Sequence, residues 1–309
     1  MPTAATLAWI WVPIAIFAAL VQTARNAAQR SLVAQAGTLG ATLARFLYGL
    51  PFALAWVLLL HAMPATAAAV PHFHAAYFGW LLLGAISQLA ATACLLAAMK
   101  QRNFVIGVAY SKTDALQVAL FGALFLHELP GWPTLTAMAL ATVGVVLLSL
   151  PRQSSALQDA RSWAGSAALW GLASGAGFAM SAVGYRGAAL ELPQVSPWLA
   201  GAWGVLWAQA AQSLLLGGWL AWRAPASLRA IAGAWRVSTV AGAAGALASI
   251  GWFTAFALTT AANVRTLGLI EVVFSYLVSH RLLREKLSSA EAGGLALVVA
   301  GLLAMFTTL

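Results

Sequence analysis

Apolar runs of roughly 20 residues alternate with short polar stretches along the whole chain, and a helix rising 1.5 Å per residue needs about that many to cross a bilayer core. The pattern predicts ten spans: Leu7 to Gln29, Leu39 to Leu60, Ala75 to Met99, Asn103 to His127, Trp132 to Leu150, Trp163 to Leu190, Pro197 to Trp222, Val237 to Thr259, Ala262 to His280 and Ser289 to Thr308. The runs are continuous rather than alternating, and backbone groups in lipid must be satisfied within the segment, so helices are predicted and not barrel strands. Residues Met1 to Trp11 lack the basic region of a secretory signal, so the first run is expected to stay as a helix.

The stretch Asn103 to Glu128 is apolar enough to cross a membrane yet carries Lys112 and Asp114 well inside it. Each such charge costs about 2.5–3.5 kcal/mol at mid-bilayer on insertion scales. Advancing the numbering by 157 turns Asp114 into Glu271, Glu128 into Glu285, Leu120 into Leu277 and Gly144 into Gly301. A gap-free shift of half the chain that returns an intramembrane carboxylate is read as an internal duplication. The polar segment 151–162, with Arg152, Asp159 and Arg161, is the expected linker between a first five-helix repeat, 1–150, and a second, 163–309. An odd number of spans per repeat inverts the second relative to the first. The fold class is therefore all-α, a polytopic membrane protein of ten transmembrane helices in two inverted five-helix repeats.

Composition agrees, with 62% hydrophobic and 7% charged residues and a mean hydropathy of +0.87, too little polar surface to cover a soluble globule. The net charge of +9 is spread over short loops without a basic groove, which argues against nucleic acid. A lone Cys94 excludes an internal disulfide and a multi-cysteine metal site. The histidines fall at span ends with no zinc spacing, so no metal, cofactor or catalytic histidine is expected. Twelve Lys and Arg residues follow odd-numbered spans and only Arg186 lies toward the other side, which predicts those loops cytoplasmic and both termini outside.

On the fourth span Tyr110, Asp114 and Gln117 recur at helical spacing and form one polar stripe, suited to a substrate or proton site or to a hydrogen-bond network between helices. Lys112 lies about 200° around the helix from Asp114 and needs another partner. Glu271, Ser275 and Ser279 make the matching stripe on the ninth span, with Asn263 and Arg265 near its start. Arg265 and Arg45 divide between cavity lining and interfacial anchoring. Glu128 and Glu285, beside His127 and Arg284, read as helix ends. Gln88, Trp80 and Trp252 are candidates to line a pocket, against core or interface belt for the tryptophans. Gly171 with Gly175, and the run Ala241 to Ala248, permit close helix approach.

Arg45-Phe46-Leu47, Ser111-Lys112-Thr113-Asp114 followed by Phe125-Leu126-His127-Glu128, and Glu271-Val272-Val273-Phe274 followed by Leu283-Arg284-Glu285-Lys286 together resemble the drug/metabolite transporter superfamily, in its ten-helix type of two EamA domains. The resemblance covers nearly the whole chain. It implies a secondary transporter or exporter of small metabolites, with a cavity bounded mainly by helices 1, 3 and 4 and their counterparts 6, 8 and 9, and with both termini cytoplasmic. Ala115 and Val272 stand where members commonly carry a proline, which removes the usual helix breaker at both positions.

The expected function is an inner-membrane permease working by alternating access, as a monomer or homodimer, on a small-molecule substrate. The cations Arg45, Lys112 and Arg265 outnumber Asp114 and Glu271, which suits an anionic substrate or an amino acid. Proton coupling and facilitated diffusion both remain open readings, as does a channel. An intramembrane enzyme is disfavoured because neither GxSxG nor HExxH occurs.

Overall fold

The computed structural model describes residues 9–101, 104–149, 165–274 and 289–306, and every regular element among them is an α-helix. In chain order these are α1 (Trp11–Leu47), α2 (Leu50–Ala62), α3 (Ala75–Met99), α4 (Phe104–Ser111), α5 (Asp114–Leu126), α6 (Trp132–Ser149), α7 (Ser166–Leu190), α8 (Pro197–Arg223), α9 (Pro225–Gly233), α10 (Trp235–Leu258), α11 (Ala261–Gly268) and α12 (Ser289–Phe306). Among the described residues five stretches are long and apolar enough to cross a membrane: Leu32–Ala62, Ala75–Met99, Ser166–Leu190, Pro197–Arg223 and Trp235–Leu258. Side chains such as Leu58, Leu124 and Leu214, the last 76% exposed, face outward from helices, as lipid-facing residues do and water-facing ones seldom do in such number.

The helices fall into two compact units that do not follow the two halves of the sequence. One comprises 1–85 and 184–259, the other 86–183 and 260–309, so α3 and α7 each contribute to both.

In the first unit α1 runs on past Gln29, where the first span was expected to stop, because the sequence offers no breaker before Gly37. Gly37 has φ 71° and ψ 170°, a backbone region essentially restricted to glycine, and there the first and second spans part. Gly242 and Gly251 of α10 lie so close to α1 that a Cβ on them would stand 2.5 Å from the Tyr48 carbonyl carbon and 2.7 Å from the Ala18 Cβ. Small residues thus let α10 lie directly along α1. Val57 and Leu60 of α2 bury against Leu199 and Ala202 of α8. Two histidines are structural here. Trp203 Nε1 donates to His61 Nε2 at 3.2 Å, leaving Nδ1 to donate to the Ala68 carbonyl at 2.9 Å, and His74 lies 3.4 Å from Glu191. Arg186 Nη1 donates to the Phe256 carbonyl at 2.8 Å and the Ala257 carbonyl at 3.3 Å, capping the C-terminal end of α10.

In the second unit α6 and α12 cross antiparallel. A Cβ on Gly144 would stand 2.6 Å from the Gly294 carbonyl and 2.7 Å from the Val298 nitrogen, and one on Gly301 would stand 2.7 Å from both the Ala137 carbonyl and the Ala141 nitrogen. The two contacts map onto each other: adding 157 to Gly144 gives Gly301, and subtracting 157 from Gly294 and Val298 gives Ala137 and Ala141.

A candidate ion-pair site at interrupted helices

The fourth and ninth spans, expected as continuous helices, are both broken. The fourth stops at Ser111, turns through Lys112 and Thr113, and resumes at Asp114. The ninth stops at Gly268, turns at Leu269, and is helical again over 270–274. The breaks are 157 residues apart, and no proline is needed to make them.

Short polar side chains make the first break. Ser111 Oγ donates to the Val108 carbonyl at 2.7 Å and Thr113 Oγ1 to the Tyr110 carbonyl at 2.7 Å, offering the backbone an alternative to the helical ladder. The amides of Lys112 and Thr113 reach back only three residues, to Ala109 and Tyr110 at 3.1 Å each, so the last turn of α4 tightens. Gln117 Nε2 donates to Thr113 Oγ1 at 2.9 Å. These bonds satisfy polar groups that lipid would leave unpaired. At the second break the Leu269 amide bonds the Thr266 carbonyl and the Val272 amide bonds the Leu269 carbonyl.

Asp114 is 3% exposed and Arg265 Nη2 donates directly to its Oδ2. Each charge also occupies the helix end that suits it. Asp114 opens α5, where the positive end of the helix dipole lies, and Arg265 is in the last turn of α11, at the negative end. The pair offsets the insertion cost of both residues. Arg265 Nε is buried with no hydrogen-bond partner among the described residues.

Six of the candidate residues fall in this unit: Gln88, Tyr110, Lys112, Asp114, Arg265 and Glu271. Lys112 sits in the turn itself, half-buried, and its ammonium has no hydrogen bond or ion pair among the described residues. Glu271 stands immediately beyond the second turn, half-buried, at the position matching Asp114. Gln88 is half-buried on α3, one turn before Thr92, whose hydroxyl donates to its carbonyl. Gly175 of α7 is pressed against the first break, since a Cβ there would lie 2.8 Å from Gln117 Nε2 and 3.2 Å from the Ser111 carbonyl. Ser275, Ser279, Arg284 and Glu285 lie outside the described residues.

The other three candidates belong to the first unit. Trp252 Nε1 donates to Gln22 Oε1 at 3.0 Å. Trp80 lies flat against α7, its ring filling the space that a side chain at Gly187 would need. Arg45 closes the last turn of α1. Beside it the sequence reading missed Gln209, Gln212 and Ser213, buried on α8 at 2%, 1% and 8% exposure. Their spacing of three and four residues on an apolar helix is the same signal that identified the stripe on the fourth span.

No protein-family model and no curated protein matches the sequence. A solved crystal structure of a protein superposes with a TM-score of 0.70 at 17% identity, over 96% of this chain and 97% of that one. That likeness establishes a shared fold.

Proposed function

We propose that the chain is a secondary transporter of a small solute, built as two inverted five-helix repeats and akin to the drug/metabolite transporters. The observation that carries this reading is the recurrence, at a spacing of 157, of a broken membrane helix with a carboxylate just beyond the break. Discontinuous helices place unpaired backbone and charge at mid-membrane, where transporters of this build hold their solutes. The reciprocal contacts of Gly144 and Gly301 support the inverted repeat, because a two-fold relation requires that residue i touch j while the equivalent of j touches the equivalent of i.

In this reading Lys112, without an ion pair among the described residues, is a solute contact, and Asp114 with Arg265 is the polar pair that solute binding perturbs. Glu271 is the acidic counterpart on the ninth span, and Tyr110 lines the approach. Transport then proceeds by alternating access of the two repeats.

The test is uptake into vesicles carrying the purified protein, with the solute chosen by a thermal-shift screen of metabolites, since a ligand of the folded state raises apparent stability. Saturable uptake is expected, with Lys112→Ala and Glu271→Gln lowering it about tenfold or more at unchanged expression. Wild-type rates in both variants would remove these residues from the site. Uptake that never saturates would point to a channel, and a response to an imposed pH gradient would separate coupled from facilitated transport.

A further inference from the structure

Three arginines crowd one corner of the first unit with nothing beside them to balance their charge. Helix α8 ends at Arg223, the nine-residue α9 follows, and α10 opens with Trp235 and Arg236. At 1.5 Å per residue α9 is about 13 Å long, too short to recross a hydrocarbon core of about 30 Å, so it joins α8 to α10 at one bilayer face. Its residues divide by helical position. Ala226, Arg229, Ala232 and Gly233 are exposed, with Arg229 central among them, while Ser227, Leu228 and Ile231 turn inward.

The inward face is pinned. Ile231 is 2% exposed, and its carbonyl accepts from the Tyr48 hydroxyl at 3.3 Å and from Ser238 Oγ at 2.9 Å. Ser227 Cβ lies 3.3 Å from where a Cβ on Gly40 of α1 would stand. The flanking arginines are held in another way. The Arg223 guanidinium lies over the Trp222 ring, 4.0 Å from its centre, and that of Arg236 lies over the Trp235 ring at 5.4 Å. Those two indoles are 73% and 56% exposed, as tryptophans at a lipid interface are. A guanidinium stacked on an indole face is steadied by the ring while its N–H donors, which lie in its own plane, stay free to bond outward.

None of the three arginines makes an ion pair among the described residues. Sequence places no Asp or Glu between Glu191 and Glu271, and Glu191 is the one carboxylate of this unit. It precedes α8, about 40 Å along that helix from Arg223, several Debye lengths away, and lies beside His74.

We propose that this corner is a docking surface for anionic phospholipid, whose headgroup phosphates are held by Arg223, Arg229 and Arg236. Guanidinium forks match phosphate oxygens two at a time. Below the arginines Leu215, Trp219 and Trp222 of α8 are exposed at helical spacing, a stripe along which acyl chains lie. That stripe selects a lipid over a free phosphate. Any basic loop attracts an anionic leaflet, and what sets this corner apart is that indole stacking and the bonds to Ile231 fix its guanidiniums in advance.

Docking here does not depend on the transport reading, and the experiment keeps the two apart. The full chain in neutral detergent is titrated with dioctanoyl phosphatidylglycerol while its unfolding temperature is followed. Dioctanoyl phosphatidylcholine, which has no net charge, and glycerol 3-phosphate, which has no acyl chains, are the references. A saturable upward shift of a few degrees is expected with phosphatidylglycerol and not with phosphatidylcholine, its midpoint moving to higher lipid as salt is raised. Arg229→Gln should raise the midpoint about fivefold, and Arg223→Gln, Arg229→Gln and Arg236→Gln together tenfold or more. Trp222→Leu with Trp235→Leu keeps every charge and should raise it by a smaller factor. Lys100→Gln, Arg152→Gln and Arg161→Gln together remove as much charge from other loops and should leave it unchanged, as should Lys112→Ala at the proposed solute site. Where the triple arginine variant does not fold, Arg229→Gln on the exposed face of α9 decides. No saturable shift in the wild type, an equal shift with phosphatidylcholine, or an equal weakening in the loop control would each overturn the proposal. So would a glycerol 3-phosphate shift that Arg229→Gln weakens as much, since the corner would then be a site for a soluble anion.

Discussion

Two turns between helices, one in each unit, treat their buried polar groups in opposite ways. At the break before Asp114 the exposed backbone is tied down by Ser111 and Thr113, and the buried carboxylate meets Arg265 at the helix ends where both charges are favoured. At the turn before Leu50 the Arg45 Nε and both polar atoms of the Gln209 amide are buried with no hydrogen-bond partner among the described residues. At the first, the buried carboxylate is compensated, while Lys112 in the same turn has no ion pair among the described residues. The second is held in place by packing against glycines. Interruption alone therefore does not decide how buried polar groups are satisfied, and the state of charge compensation separates the two.

The largest effect that tests this contrast is at the ion pair. Removing one partner of a buried pair leaves the other charge stranded, at a cost of about 3–5 kcal/mol, whereas replacing both with apolar groups is often close to neutral. Arg265→Met is expected to lower stability by that amount in thermal unfolding of the purified protein, and Asp114→Leu with Arg265→Met together to recover most of it. A double variant as unstable as the single would mean that the pair is not what holds α5 to α11.

A second expectation concerns the reciprocal crossing of α6 and α12. Gly144→Ala and Gly301→Ala would each drive a methyl to within 2.7 Å of backbone on the partner helix, an overpacking that costs about 1–3 kcal/mol. Equivalent contacts should give equal losses, to within about 0.5 kcal/mol. Gly218→Ala, where a Cβ meets nothing within 4 Å, is the control and should be neutral or slightly stabilising. A large difference between the two crossing variants would break the pseudo-symmetry on which the proposed inverted repeat rests.

Much of this architecture was legible in the sequence because its signals are periodic. Apolar run length gave the third span as Ala75 to Met99, matching α3 residue for residue. The stripe Tyr110, Asp114, Gln117 marked the segment that carries the buried pair. The breaks were not legible, since a helix is expected to continue through Ser, Lys and Thr unless their side chains capture carbonyls, and that competition depends on what packs alongside, here Gly175. Arg265 read equally well as an interfacial anchor, because its partner lies 151 residues earlier in the chain. Gln209 went unnoticed for a different reason. A neutral amide costs less than a charge in lipid, so it raises no alarm until its burial at 2% exposure and its missing partners are seen.

The smallest effect is the one whose sign is most informative. An amide buried without hydrogen bonds costs about 1–3 kcal/mol of stability, and methionine has similar length, no branch and no such requirement. Gln209→Met should therefore raise the unfolding temperature of the protein, by the equivalent of about 1 kcal/mol once imperfect packing against Gly49 is allowed for. Arg265→Met moves in the other direction by several times as much. If Gln209→Met were instead destabilising, the amide would have to be making bonds that hold the fold together, as the pair Asp114 and Arg265 does. Opposite signs at the two turns, measured in the same lipid and buffer, are what a paired charge and an unpaired amide require.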